Sequence, residues 1–192
     1  MDQEFFETLF GGEKKGYLNA AFSKGDSFKR RSYPIDKLSG FYADCERAAS
    51  RGYNCYFVPS VFVEPRGTKI YFDHSNVVWL DYDKGGDQPN WELEPTYVVQ
   101  SSEGKYHAYW RLQAPGTMVQ VEMANKAMAQ NHDADMSGWD ANQLLRVPGT
   151  LNFKYDPPQK VEIIRHSERS YSVDDFPKVW GPNVPGLVQT FL

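Results

Sequence analysis

Val77-Val78-Trp79-Leu80-Asp81-Tyr82-Asp83-Lys84-Gly85-Gly86 joins a strongly apolar run to two aspartates and a pair of glycines. The run predicts a buried strand. Side chains alternate faces along a strand, so Asp81 and Asp83 point one way while Leu80 and Tyr82 point the other. Two carboxylates side by side repel unless a cation or a shared proton comes between them. The glycines suit a sharp turn that leaves the pair at the mouth of a sheet, and a divalent metal is the natural third party. An Asp-rich strand end leading into a turn would look the same if the three residues stood alone; they do not.

Composition sets the frame. The 192 residues are enough for one large domain with a real core, and 41% apolar against 24% charged residues describe a globular protein. Aromatics make up 15% of the chain and mostly mean core, although a nucleic-acid protein spends some on base stacking. A formal net charge of -4 argues against holding DNA by bulk electrostatics, yet leaves room for a basic groove beside an acidic metal site. Cys45 and Cys55 are the two cysteines, with neither zinc nor redox spacing, as expected of free thiols in a reducing cytoplasm. The N-terminus is acidic, and no run approaches the ~18 apolar residues of a membrane span. A cytoplasmic protein without export signal or membrane partner is therefore expected.

Outward from the aspartates, Phe5, Phe6 and Leu9 predict a first helix over residues 2–9, and residues 16–23 a strand. Residues 24–34 carry Lys29-Arg30-Arg31 and are expected to be a loop with a solvated surface rather than a template contact. Leu38, Phe41, Tyr42, Cys45, Ala48 and Ala49 give the clearest helical pattern, over residues 36–50. Residues 53–63 read as one strand with a bend or edge at Pro59, and residues 89–95 as an irregular linker. Thr117 is placed to cap a helix reaching His132; a short capped helix is expected after Ser172 and a Pro/Gly-rich tail over 180–192.

Residues 96–101 and 105–112 form a hairpin around Ser102-Glu103-Gly104. Alternation puts Tyr106, Ala108, Trp110 and Leu112 on one apolar face and Lys105, His107, Tyr109 and Arg111 on the other. That second face is expected to be open and cationic, as suitable for an anion as for plain solvation. Further on, Asp140-Ala141-Asn142-Gln143-Leu144-Leu145-Arg146-Val147-Pro148-Gly149-Thr150-Leu151-Asn152-Phe153-Lys154 combines an acid, a Pro-Gly turn and a short strand, and residues 160–166 alternate again.

Taken in order, Asp81-x-Asp83, the hairpin ending in Lys105-Tyr106-His107, and Asp140 with Leu-Leu-Arg-Val-Pro-Gly-Thr-Leu-Asn-Phe-Lys resemble the three motifs of the archaeo-eukaryotic primase (AEP) superfamily, in particular plasmid and phage primases and primase-polymerases. The resemblance covers roughly residues 53–166, and its last motif is the most specific. It implies an α+β fold: a bent RRM-like antiparallel or mixed sheet with flanking helices, plus a smaller N-terminal α/β unit. One catalytic domain is expected over 1–192, with an N-terminal α/β part (1–75), an RRM-like catalytic part (76–170) and a C-terminal tail (171–192). By matching positions, Asp81, Asp83 and Asp140 would hold two Mg²⁺ or Mn²⁺ ions. His107 would touch the triphosphate of an incoming NTP or dNTP, and Arg146 and Lys154 would contact phosphate. Lys105 stands where the family often has a small hydroxyl residue, which leaves Ser102 as a candidate for that role. Asp133 and Asp135 compete with Asp140 as third acid.

Physical chemistry agrees with such a set. Joining nucleotides needs a more acidic 3′-hydroxyl, a screened α-phosphate and a stabilised pyrophosphate, and two metal ions can serve all three. Lys105, His107, Arg146 and Lys154 would neutralise the triphosphate from the other side. A template-dependent primase acting on single-stranded DNA is thus expected, with ribo- versus deoxynucleotide preference open, and with a replicative helicase, appended or separate, as a family partner. A metal-dependent phosphodiesterase or nuclease could use the same carboxylates, and a non-catalytic single-strand binding module could use the aromatics.

Overall fold

Phe5 and Phe6 lie side by side on the first helix, α1 (Gln3–Phe10), and both are wholly buried. Asp2 caps this helix by accepting from the Phe5 amide. The computed structural model describes residues 1–178, so the expected tail over 180–192 lies outside the described residues. After α1 come β1 (Tyr17–Lys24), β2 (Ser27–Pro34), α2 (Ser39–Ala49), β3 (Asn54–Phe57), β4 (Val61–Phe62) and β5 (Phe72–Tyr82). Then follow β6 (Tyr97–Ser102), β7 (Lys105–Gly116), α3 (Met118–Asn131), β8 (Leu145–Arg146), β9 (Leu151–Asn152), β10 (Gln159–Lys160) and β11 (Glu162–His166). No helix among the described residues is long and apolar enough to cross a membrane.

The main sheet runs β11-β6-β7-β5-β4-β1-β2, with β3 collinear with β4 on the same edge of β1 and β8 on the outer edge of β3; its strand pairs are all antiparallel. The sheet is sharply bent. Phe57 of β3, the strand collinear with β4, and Tyr109 of β7 are two strand positions apart, about 10 Å in a flat sheet, yet their rings stack with centroids 6.3 Å apart. Phe5 fills the fold, with its ring centroid 5.8 Å from Phe57, 5.1 Å from Tyr97 and 5.1 Å from Tyr109. The two halves of the sheet thus close on α1 like a folded page, hinged where β4 meets β5 with a shifted register.

Beside the bend, α3 seals the part of β5 that β4 leaves unpaired. Thr117 and Gln120 form a reciprocal capping box at its start. Buried Asn125 accepts from the Trp79 amide at 2.9 Å and donates to the Trp139 carbonyl at 3.1 Å. One side chain on α3 therefore satisfies a strand edge and pins the segment that follows the helix.

The structure corrects three expectations. Residues 24–34 are not a loop: after the last residue of β1 and a two-residue turn, 27–34 form β2, paired along its full length with β1. Its polar run hid it, because an edge strand with one buried residue, Tyr33, shows little apolar alternation. Residues 53–63 form two short strands broken at Val58-Pro59-Ser60, since Pro59 has no N–H to donate. Finally, the second face of β7 is not open: His107 and Tyr109 are buried beneath the bent sheet, and only Arg111 is exposed. Alternation names the faces but cannot say that both will be covered.

Because Phe5 bridges both halves, Phe5→Ala should lower the unfolding free energy by about 3–5 kcal/mol in urea titrations. Val119→Ala, on the exposed side of α3, should change it by less than about 0.5 kcal/mol.

Candidate functional site

The fold opens a polar cleft at the end of β5, lined by Tyr56, Asp81, Asp83, Ser101, Ser102, Lys105, His107, Leu144, Arg146, Asn152, Lys154 and Tyr155. Seven of the eight residues singled out from sequence meet here; Asp140 does not. Strand pairing explains the acidic wall. Asp81 lies directly opposite His107, which in turn lies opposite Val99 of β6. Asp83 follows on the same face, more exposed, and Lys105 Nζ donates to its Oδ2 at 3.0 Å. Gly104, with φ of 68°, lets the hairpin tip press on the turn after Asp83: a Cβ there would sit 2.5 Å from the Gly86 nitrogen.

The basic wall comes from the other half of the sheet. Asn54 Oδ1 accepts from Arg146 Nη1 at 2.7 Å and from the Phe153 amide at 2.9 Å, tying β3 to the strand and turn that carry the last motif. Arg146 lies over Tyr56, its guanidinium carbon 4.9 Å from the ring centre. Asn152 donates to the Ser101 carbonyl at 3.0 Å and accepts from the Lys154 amide at 3.1 Å, which sets Lys154 across from the hairpin. Ser102 donates to the Tyr155 hydroxyl at 3.4 Å.

Burial sharpens the electrostatics. Burial first, then the charges of Asp83 and Asp135, push the Asp81 carboxyl up to about 7, against the pull of Lys105. Gly138 presses on this carboxylate: a Cβ there would lie 3.0 Å from Asp81 Cβ. Burial and the Arg146 guanidinium hold His107 down at about 3, so its ring is neutral at neutral pH. His107 Nε2 lies 3.5 Å from Asp81 Oδ1, and that oxygen and His107 Nδ1 are buried with no hydrogen-bond partner among the described residues. An orphaned carboxylate oxygen beside a second carboxylate fits a hard divalent cation, which takes oxygen ligands.

The expected three-acid set is not assembled. Asp140 is held by Lys69, whose Nζ also contacts Glu122 Oε1 at 2.7 Å, while Glu122 accepts from the Ala141 amide. Among the described residues, no three His, Cys, Asp or Glu side chains gather closely enough to hold a metal ion. Asp135, whose charge reaches Asp81, is itself bonded to the amide and hydroxyl of Ser137; Asp133 pairs with Lys84. Sequence reasoning also missed Asn54, Tyr56 and Tyr155. Tyr155 adjoins the last motif, but nothing in the aromatic run of β3 marks Tyr56 as facing a cleft.

The Asp81 carboxyl has a higher pKa folded than unfolded, so its contribution to stability is present at acid pH and is lost as pH rises from about 4 through 7. Without divalent metal, Asp81→Asn should therefore be about 2–4 kcal/mol more stable than the native chain at pH 8 and no more stable at pH 3.5. Thermal unfolding across that range measures the difference, and equal behaviour at pH 8 would contradict the buried, crowded carboxylate.

Residues 64–173 match the RepB DNA-primase N-terminal domain family model. A replication protein from Clostridium perfringens is 28% identical over 167 residues, covering 73% of this chain and 40% of that protein, so the chain spans well under half the length of this curated relative. Among solved structures, the AEP domain of the cyanophage S-2L primase-polymerase superposes with a TM-score of 0.72 at 15% identity, covering 90% of this chain and 92% of that one. The catalytic domain of primase RepB′, solved with initiator DNA, gives a TM-score of 0.64 at 15% identity over 90% and 91% of the two chains. The bent α+β architecture is thus the AEP primase fold. The matched segment is more than half of the 192-residue chain and contains every cleft-lining residue but Tyr56, and the chain belongs to the RepB DNA-primase N-terminal domain family.

Proposed function

We propose that these residues form the catalytic unit of a DNA primase or primase-polymerase, which joins an incoming NTP or dNTP to a 3′-hydroxyl on a single-stranded DNA template. The observation that carries this reading is the opposition of Asp81 and Asp83 on one wall of the cleft to Arg146 and Lys154 on the other. Residues 1–75 contribute Asn54 and Tyr56, and residues 76–170 the acids and the remaining bases, so both parts act as one unit.

Asp81 and Asp83 would hold Mg²⁺ or Mn²⁺, which supplies an activated hydroxyl and a screened α-phosphate. Two carboxylates suffice for Mg²⁺, whose other positions go to water and substrate phosphate. Arg146, oriented by Asn54 and Tyr56, offers its guanidinium fork to the triphosphate, and Lys154 adds a point charge. Lys105 stands at the boundary, placed to exchange Asp83 for a phosphate oxygen. Neutral His107 donates a hydrogen bond without adding charge, and Ser102 with Tyr155 offers hydroxyls at the hairpin end of the cleft. A replicative helicase, appended or separate, would supply the unwound template.

Asp81→Ala with Asp83→Ala should abolish Mn²⁺-dependent dinucleotide synthesis on single-stranded DNA, read by sizing labelled products, while circular dichroism stays native; synthesis surviving that change would sink the assignment. Arg146→Ala should act chiefly through nucleotide use, raising KM for the NTP. With Asp140 engaged by Lys69, Asp140→Asn should retain synthesis to within about tenfold. A loss as complete as that of the double variant would instead put Asp140 in the metal set.

A further inference from the structure

Strand β2 decides where Lys29-Arg30-Arg31 point. Directly paired residues on antiparallel strands share a face. Arg30 pairs with Ala21 of β1, Ala21 with Tyr56 of β3, and Tyr56 with Arg146 of β8. One row of side chains therefore crosses four strands, from the cleft at Arg146 to the sheet edge at Arg30. Two residues along, a second row on the same face runs Asn54, Ser23, Phe28. At about 4.8 Å per strand, the ends of the first row lie about 14 Å apart.

The two ends repeat one device. Arg146 lies over Tyr56, and the Arg30 guanidinium carbon lies 5.6 Å from the centre of the Phe28 ring. Between them β1 contributes only small side chains, wholly buried Ala21 and half-buried Ser23, so no large residue of β1 stands between the two arginine-backed aromatics. Phe28 is 53% exposed, which burial cannot account for. Charges on an edge strand guard it against pairing with another chain, but that role does not call for an exposed aromatic ring. Lys29 and Arg31 project from the opposite face, where Arg31 pairs with Asp44. In a chain of net charge -4, this basic and aromatic row is a local exception.

We propose that the face formed by β8, β3, β1 and β2 is a track for single-stranded DNA running out of the cleft, with Phe28 stacking a base and Arg30 contacting the backbone. Unpaired bases are the natural partner, because stacking on an exposed ring requires a free base face and the arginines complement phosphate. The choice of DNA as occupant rests on the primase reading of the cleft; the track itself rests on strand register.

The test uses the full chain and a fluorescein-labelled oligothymidylate, without metal or nucleotide, titrated by anisotropy over a range of salt concentrations. Phe28→Ala should weaken binding about five- to fiftyfold with an unchanged salt slope, and Phe28→Tyr should restore it. Arg30→Ala should reduce the slope of log affinity against log salt by about 0.7. Variants that keep a native circular dichroism spectrum yet bind like the wild type overturn the track. So does equal affinity for a duplex of the same sequence, or a self-association that Phe28→Ala abolishes. Dinucleotide synthesis separates the two readings. Wild-type synthesis with unaltered strand affinity in both variants removes the track and keeps the primase. An inactive wild type whose strand affinity still falls with Phe28→Ala keeps the track and removes the primase.

Discussion

Everything in this molecule depends on the sheet being folded back on itself around Phe5. The Phe57 and Tyr109 rings, from the two halves of the sheet, stack across the fold at 6.3 Å, and Phe5 packs edge-on against both. Burying aromatic rings of this size is among the larger single contributions available to a domain. Here it also has a geometric result. The fold carries Tyr56 and Arg146 from one half of the sheet to the acids on the other, so core packing and site assembly are one event.

The cleft that results is electrostatically uneven by construction. Asp81 is pressed between His107 and Gly138 while sharing its strand face with Asp83, and this crowding is unfavourable for an ionised carboxylate. Natural proteins tolerate such cost where chemistry needs it. His107 answers the same burial in the opposite way, by staying neutral beside Arg146. Asn54 is the linking element, since one carbonyl oxygen orients Arg146 and anchors the Phe153 amide. The Lys69, Glu122 and Asp140 group fastens the short turn before β5 to α3 and the segment beyond it.

Much of the fold and site was legible because the physics there is local. Residues 36–50 and 117–132 read as helices because their apolar spacing and the Thr117 cap act within a few turns. The hairpin at Ser102-Glu103-Gly104 read correctly because a turn with positive φ favours glycine. Misreadings fell where distant partners decide. β2 is a strand only because β1 offers its backbone. His107 is buried only because the other half of the sheet lies over it. A distant partner also sets the company of Asp140: the residue matches the motif in spacing, and Lys69, far away in sequence, pairs with its carboxylate.

From sequence alone came the acids on one strand face, the hairpin that brings Lys105 and His107 beside them, and the Arg-Pro-Gly-Asn-Lys pattern of the last motif. Alternation and turn chemistry are short-range, so one strand and its neighbour suffice to dictate them. The tertiary structure alone decided that Tyr56 joins the cleft and Asn54 orients Arg146 in it, that Lys69 pairs with Asp140, and that Arg30 and Phe28 share a face with Arg146. Those outcomes depend on which strands pair and where the sheet bends, and pairing energies come from contacts between residues that are remote in the chain.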